Sequence, residues 1–157
     1  MSFTHLNKSN QPKMVDVGAK KITKREATAK ATMFLGKEII SLFQNKELKT
    51  KKGPVFQTAI IAGIQAVKKT SELIPMCHPL LIHGVELTID ILNTEDIELL
   101  CTVKIEGKTG VEMEALTGVN IAALTVYDMC KSVSQAMSIK EIVLVKKSGG
   151  KSDVNKR

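Results

Sequence analysis

Two stretches of alternating apolar and polar residues constrain the fold of this chain more than any other feature. Apolar side chains occupy every second position over residues 85–91 and again over residues 97–105, and polar side chains fill most of the gaps. The intervening residues 93–96 (Asn-Thr-Glu-Asp) have the composition of a turn. Alternation with period two is typical of a strand with one buried face, so the pattern predicts an antiparallel hairpin. A sheet with one apolar face must bury that face against another element of the fold.

Further elements flank this hairpin. Residues 27–35 also alternate, which indicates a strand, although the alanines leave a helix open. Pro54 is suited to the first position of a helix. The remaining patterns predict a short helix over 37–45 and an apolar helix from Val55 to about Glu72. They also predict a long helix that has Glu112 and Glu114 in its first turn and continues to about Met137, and a last strand over 139–146.

This order predicts an α+β fold of the ferredoxin-like split βαβ type (β-α-α-β-β-α-β), with an antiparallel sheet and helices packed on one face. Residues 14–147 would form one catalytic domain, between a flexible tail over 1–13 and a flexible Gly/Lys-rich tail over 148–157. We also expect the other face of the sheet to need cover. The one-sided alternation does not supply that cover, and an oligomer is one way to provide it.

The composition of the chain limits the classes of ligand that it can bind. The 157 residues carry a net charge of +7, which favours an anionic ligand. With no Trp, one Tyr and four Phe, the chain has few side chains that could stack on nucleic-acid bases, so a small polyanion is the better prediction for its ligand.

No apolar run is long enough to span a bilayer and the N-terminus lacks a signal-peptide pattern, which predicts no membrane partner and a cytoplasmic location. The three cysteines are widely spaced and odd in number, which indicates free thiols.

Charged residues stand out on the long helix. Asp128 and Lys131 lie three positions apart, so they share a face. That spacing suits an ordinary surface ion pair, but the apolar neighbours predict a partly buried helix and hence a candidate acid/base pair. Glu112 and Glu114 could simply complement the helix dipole. Glu114 and Asp128 are fourteen residues apart, about 21 Å along a helix axis, so a site that uses both must combine two subunits.

Other candidates are less specific. His78, between two prolines, is more often a structural histidine than a catalyst, and Cys77 beside it has no second pair at metal-ligand spacing, so no metal site is predicted. Lys52 precedes the helix that starts at Pro54, where an ammonium and a helix dipole would together favour phosphate, and Lys131 and Lys147 would add to it. The sequence over 148–152 ends like a P-loop but lacks its first glycine and a following apolar helix, which excludes that class.

Six stretches of the chain have the form of family motifs: Lys-Gly-x-Val-Phe (52–56), Ile-Ala-Gly-Ile-Gln-Ala (61–66), Leu-Ile-Pro-Met-Cys-His-Pro-Leu (73–80), Gly-Lys-Thr-Gly-Val-Glu-Met-Glu-Ala-Leu-Thr (107–117), Tyr-Asp-Met-Cys-Lys (127–131) and Lys-Ser-Gly-Gly-Lys-Ser (147–152). Together and in this order they resemble the MoaC family, the cyclic pyranopterin monophosphate synthases of molybdenum cofactor biosynthesis. The resemblance covers residues 14–152, although Gly18 stands where the family often has Ser.

The resemblance implies a lyase that converts 3′,8-cyclo-7,8-dihydroguanosine 5′-triphosphate to cyclic pyranopterin monophosphate and releases pyrophosphate. It implies a homohexamer, a trimer of dimers with active sites between subunits. No cofactor would be required, although Mg could accompany the triphosphate. Asp128, Lys131 and Lys52 would be catalytic. The substrate site would be formed by Met76, Cys77, His78, Met113, Glu114, Glu112, Arg25 and Lys147.

Two other classes of protein share the predicted fold. One is an RNA-binding module, against which the scarcity of aromatic residues argues. The other is a scaffold protein with the family fold and no turnover. An assay with the cyclic dihydro-GTP substrate distinguishes both from the enzyme.

Overall fold

The structure, a computed structural model, describes residue 7 and residues 9–156. The order of elements is mixed α and β, as the alternation predicts. The strands are β1 (Thr23–Phe34), β2 (Lys49–Thr50), β3 (Gly53–Pro54), β4 (Gly84–Ile91), β5 (Asp96–Gly107), β6 (Ser138–Ser148) and β7 (Val154–Asn155), and the helices are α1 (Lys37–Ile40), α2 (Val55–Lys68), α3 (Thr70–Leu73) and α4 (Glu112–Cys130).

Five strands form one antiparallel sheet in the order β4-β5-β1-β6-β7. Without the two-residue β7, this is the strand order of the ferredoxin-like fold, so the predicted fold class is confirmed. The hairpin of β4 and β5 pairs Val85 with Val103 and Ile91 with Ile97, which puts the alternating apolar residues of both strands on the same face. The β1 strand lies at the centre of the sheet, between β5 and β6.

The core lies between the sheet and two long helices. On β1 the inward side chains Ala27, Ala29, Ala31 and Met33 are fully buried, and α4 packs over them. The opposite face of β1 and β5 is more polar: the Thr28 and Thr102 hydroxyls are hydrogen bonded to each other, and Glu26 pairs with lysines of β5 and β6. The helices therefore cover one face, as the one-sided alternation predicts.

Three predicted helix ends were wrong. The helix that starts at Val55 stops at Lys68, because Lys69 leaves helical geometry with φ −109° and ψ 9°. The buried Thr70 hydroxyl then donates to the carbonyl oxygens of Ala66 and Val67 in the last turn of α2. The long helix ends at Cys130 and not near Met137. After the helix the chain turns back so that the Met137 side chain is buried in the core just before β6 begins. The helix expected over 37–45 is a single turn, α1, because the chain folds back in a bridge between Gln44 and Glu47.

The two predicted tails remain predictions. Residues 1–6 and 8 of the first tail lie outside the described residues. In the second, Val154 and Asn155 pair with Lys147 and Lys146 of β6, a contact that the sequence pattern did not predict. Since a strand and not a helix follows the Gly149-Gly150 loop, the exclusion of a P-loop is confirmed.

The close packing of α2 on α4 generates a stability prediction. A Cβ atom at Gly63 would collide with the Leu87 side chain and lie 2.9 Å from the carbonyl oxygen of Gly118. Alanine should gain about 1 kcal/mol of helix propensity. Overpacking against backbone should cost about 1–3 kcal/mol, so we expect Gly63→Ala to lower the free energy of unfolding in urea titrations. The exposed Gln65→Ala in the same helix serves as the control, and an equal effect of both changes would contradict the packing argument.

Candidate active site

Three charged residues meet at the C-terminal end of α4, and we call Lys52, Asp128 and Lys131 the cationic cluster. The Asp128 carboxylate accepts a hydrogen bond from Lys52 Nζ at 2.6 Å on one oxygen and lies 2.7 Å from Lys131 Nζ on the other. Lys52 Nζ also donates to the main-chain oxygen of Asp128 at 3.2 Å. The structure therefore brings together the three residues predicted to be catalytic, although Lys52 comes from a loop 76 positions away.

Two ammonium groups on one carboxylate leave this cluster with a net positive charge. The hydrogen bonds from Lys131 and Lys52 lower the pKa of Asp128 to about 2, and Asp128 in turn raises the pKa of Lys131. At neutral pH Asp128 is thus a carboxylate and Lys131 an ammonium. The cluster suits an anionic ligand, because the cations outnumber the single carboxylate.

Two details of the sequence prediction were wrong here. Asp128 is not partly buried in the single chain, since 52% of its side chain is exposed. The N-terminus of α2 is also not free to bind phosphate, because the Glu47 carboxylate accepts hydrogen bonds from the main-chain N–H groups of Phe56 and Gln57 there. Lys52 points to Asp128 instead.

A cavity of about 430 Å³ lies at the opposite end of α4, and we call it the helix-start cavity. The irregular segment between α3 and β4 forms one wall, where Pro75 and Pro79 prevent regular structure. The first turn of α4 forms another. The cavity is lined by Val15, Val17, Lys20, Ile74, Met76, Cys77, His78, Leu80, Thr109, Gly110, Glu112, Met113 and Glu114.

Burial controls the chemistry of this cavity. Glu114 is only 4% exposed, and its burial, followed by repulsion from Glu112, raises the pKa of its carboxyl group. Burial and the nearby Glu114 raise the pKa of the Cys77 thiol, which makes Cys77 a poor nucleophile. His78 Nε2 lies 2.8 Å from the main-chain oxygen of Val15, and a carbonyl partner requires that nitrogen to carry the proton. Burial thus favours the protonated form of the Glu114 carboxyl group.

Two cations flank the helix-start cavity. Lys147, on β6, lies 3.1 Å from the Glu112 carboxylate. Arg25, on β1, donates to the main-chain oxygens of Gly107 and Lys108 at 3.0 and 3.3 Å, which fixes its guanidinium beside the loop that leads into α4. Arg25 and Lys147 both line a small recess that also includes Gly150. Lys147 was predicted to join Lys52 and Lys131, but within one chain it lies with Glu112 instead.

The segment before β1 contributes residues to the cavity that the sequence prediction did not include. Val15, Val17 and Lys20 line the cavity, and Lys108 Nζ donates to the main-chain oxygen of Gly18. The available signal was the basic run that includes Lys20, which fits either a solvated linker or an arm that faces an anion. Lys20 is thus a further cation beside the cavity.

The predicted site residues therefore form two groups. Asp128 and Glu114 lie at opposite ends of the continuous helix α4, about 21 Å apart along its axis, so one chain does not unite them. Within residues 7 and 9–156, no group of three or more His, Cys, Asp or Glu side chains is placed to hold a metal ion. None of the described helices is both long and apolar enough to cross a membrane.

Fold and site together define an α+β domain of ferredoxin-like strand order with a cation-rich surface for a small anion. The MoaC family model matches residues 14–150, and the chain belongs to this family. A cyclic pyranopterin monophosphate synthase of Helicobacter pylori (strain HPAG1) is 53% identical over 155 residues, covering 97% of this chain and 96% of that protein.

Two further relatives agree. A protein of the same name from Peptoclostridium acidaminophilum is 51% identical over 152 residues, which cover 97% of this chain and 95% of the relative. A Synechocystis protein named molybdenum cofactor biosynthesis bifunctional protein is 51% identical over 157 residues, 98% of this chain and 45% of the longer relative. The family resemblance predicted from the motifs is confirmed.

The cationic cluster predicts a titration result. Removal of either ammonium should raise the pKa of Asp128 from about 2, with the larger rise for Lys131→Ala, because its hydrogen bond is the larger cause of the depression. Since the folded pKa lies below the unfolded one, the pair stabilises the fold above the unfolded pKa, and this stabilisation is lost as the pH falls toward 2. Carboxyl ¹³C NMR of Asp128 measures this midpoint. Asp96, which pairs with Lys140, should be unaffected and provides the control.

Proposed function

We propose that this chain is a cyclic pyranopterin monophosphate synthase. It converts 3′,8-cyclo-7,8-dihydroguanosine 5′-triphosphate to cyclic pyranopterin monophosphate and releases pyrophosphate, as a lyase in molybdenum cofactor biosynthesis. The observation that carries the proposal is the identity of about half the residues over nearly the whole chain with relatives of that name. The site chemistry is compatible with it, because such a substrate is a compact polyanion.

In this proposal the cations hold the triphosphate. Lys52 and Lys131 lie at one end of α4, while Arg25 and Lys147 flank the cavity at the other. Fixed positive groups of this kind stabilise the charge that develops on a leaving pyrophosphate. The cavity volume of about 430 Å³ is within the range of small-molecule sites.

Proton transfer is assigned to the carboxyl and ammonium groups. At rest Asp128 is ionised and Lys131 is protonated, so Asp128 is assigned the role of base and Lys131 that of acid. Their mutual hydrogen bond lowers the basicity of Asp128, and the substrate would have to weaken that bond for the transfer to occur. Burial raises the pKa of Glu114, so this carboxyl group changes between its protonated and ionised forms at a higher pH than an exposed glutamate does. It would donate or accept a proton on the side of the substrate opposite Asp128. Met76, Cys77, His78 and Met113 would then contact the base or sugar, since they line the same cavity.

A complete site requires a second subunit. The exposed stripe of α4 between its two ends includes Met113 and Leu124, which are 38% and 53% exposed, and Ile61 of the adjacent α2 is 57% exposed. Two copies of α4 packed antiparallel through this stripe would bring Glu114 of one subunit to Asp128 of the other and would bury these apolar side chains. A homohexamer built as a trimer of such dimers, located in the cytoplasm, completes the proposal.

No redox cofactor is part of the proposed reaction, because the substrate rearranges without net oxidation. The protein side chains supply the acid, base and cation functions. A magnesium ion would be expected to accompany the triphosphate, since Mg²⁺ commonly binds through substrate phosphates and a few carboxylates.

The direct test is an assay of the purified protein with the cyclic dihydro-GTP substrate. We expect formation of cyclic pyranopterin monophosphate and pyrophosphate, measured by chromatography and a coupled pyrophosphate assay. Asp128→Asn should reduce kcat by about 100-fold or more, the usual loss when a general base is removed. Absence of product with the unaltered protein would refute the enzyme assignment, and an active Asp128→Asn variant would refute the role of Asp128.

Complementation between inactive variants tests the shared site. Glu114→Ala and Asp128→Asn should each be inactive alone. After unfolding and refolding together in equal amounts, half of the dimers should be mixed, and each mixed dimer should contain one site with both native groups. We therefore expect about a quarter of the native activity by statistical pairing of two-fold dimers. If both groups act within one chain, mixing will restore nothing.

A further inference from the structure

Glu47 forms an unusual set of contacts for a residue in a lysine-rich loop. Its Oε1 atom accepts hydrogen bonds from the main-chain N–H groups of Leu48 at 2.8 Å and Phe56 at 2.9 Å, and its Oε2 atom accepts one from Gln57 at 3.1 Å. Helix α2 has no side-chain cap at Pro54 and no acidic residue in its first turn. Glu47 therefore takes the place of a helix cap from outside the helix, where a carboxylate is favoured by the helix dipole.

A strained turn places Glu47 at this position. Gln44 and Glu47 exchange both main-chain hydrogen bonds, at 2.9 and 3.0 Å, across the two residues Asn45 and Lys46. Those residues have φ values of 50° and 63°, in the left-handed region. Asn tolerates this conformation, but Lys rarely adopts it. Strain of this kind persists only where the surrounding contacts enforce it, and it concentrates near functional sites.

The same contacts hold the two ends of the loop that carries Lys52. Val55 N–H donates to the Leu48 oxygen at 2.9 Å, which closes a hairpin over residues 48–55. Inside it Lys49 pairs with Pro54 and Thr50 with Gly53, and Lys52 N–H donates to the Thr50 hydroxyl at 3.1 Å. Glu47 binds Leu48 at the start of this hairpin and Phe56 immediately after its end. The hairpin thus has a fixed base, with Lys52 at its tip beside Asp128.

We propose that Glu47 is a positioning residue that fixes the base of the 48–55 hairpin and thereby directs the Lys52 ammonium onto Asp128. The Glu47 carboxylate bonds to main-chain N–H groups and not to Asp128, and Glu47 is not among the residues that line the helix-start cavity. Its effect on activity rests on the proposed function, since Lys52 acts there. Its effect on the contact between Lys52 and Asp128 does not, so the two can be tested separately.

The first experiment measures the Asp128 carboxyl titration by ¹³C NMR in the full chain. Glu47→Ala should raise the Asp128 pKa toward the value found in Lys52→Ala, because the Lys52 hydrogen bond is one cause of the depression. The double variant with both changes should match Lys52→Ala alone. Glu38→Ala is the matched control, since Glu38 is an exposed glutamate a few residues earlier, and it should leave the titration unchanged.

The second experiment measures turnover of the cyclic dihydro-GTP substrate. A displacement of a catalytic group by about 1 Å can lower the reaction rate by about 100-fold. We therefore expect kcat/KM to fall by about 10- to 100-fold in Glu47→Ala. In a protein that already carries Lys52→Ala, the added Glu47→Ala change should cause little further loss. Glu47→Gln should recover part of the loss, because its single oxygen can still accept from Leu48 and Phe56. If Glu47→Ala does not fold, Glu47→Gln provides both measurements.

Two results would overturn the proposal. One is an unchanged Asp128 titration in a folded Glu47 variant, even if that variant melts at a lower temperature, because Glu47 would then stabilise the fold without directing Lys52. The other is that Glu47→Ala lowers kcat/KM by the same factor in the native protein and in the Lys52→Ala variant. The effects of the two residues would then be independent. If the native protein does not turn over the substrate, the proposed function fails, and the titration still decides the role of Glu47.

Discussion

The packing of α4 against the sheet is the interaction on which the rest of the structure depends. It is built from small side chains on both sides: the inward residues of β1 include three fully buried alanines, and Gly118 of α4 leaves no room for a Cβ atom beside Cys101 and Val67. Small residues at these positions let helix and sheet approach closely. The rise of the continuous helix keeps the charged groups at its two ends apart, and this packing holds the helix in place.

The environment of each end makes two similar carboxylic acids behave differently. Glu114 is buried in a mostly apolar cavity, which raises its pKa, whereas Asp128 is exposed and bonded to two lysines, which lowers its pKa to about 2. Opposite shifts of this kind are how protein sites assign one carboxyl group to each of two roles. A single helix thus carries two chemically distinct groups at its two ends. In the function that we propose, they act on one substrate only where two subunits pack together.

The two lysines of the cationic cluster are positioned beside Asp128 in different ways. Lys131 lies one turn after Asp128 and needs only the helix to reach it, whereas Lys52 is on a loop that must be held in place. Glu47, the turn at Asn45 and Lys46, and the short pairing of β2 with β3 provide that support. A loop can contribute a functional group when a rigid scaffold fixes it, and here the start of α2 is the scaffold.

The sequence by itself determined the four long strands and the start of the two long helices, because periodicity reports which face of an element is buried. It also determined the charges along α4. The order of these elements and the family motifs then predicted the fold and the site residues. Only the tertiary structure decided the bond from Lys52 to Asp128, the cap that Glu47 forms on α2, and the ends of the helices at Lys68 and Cys130. Each of these depends on a contact between residues that are distant in sequence or on where the chain turns back to the core. Local sequence patterns do not predict long-range contacts or the positions of such turns.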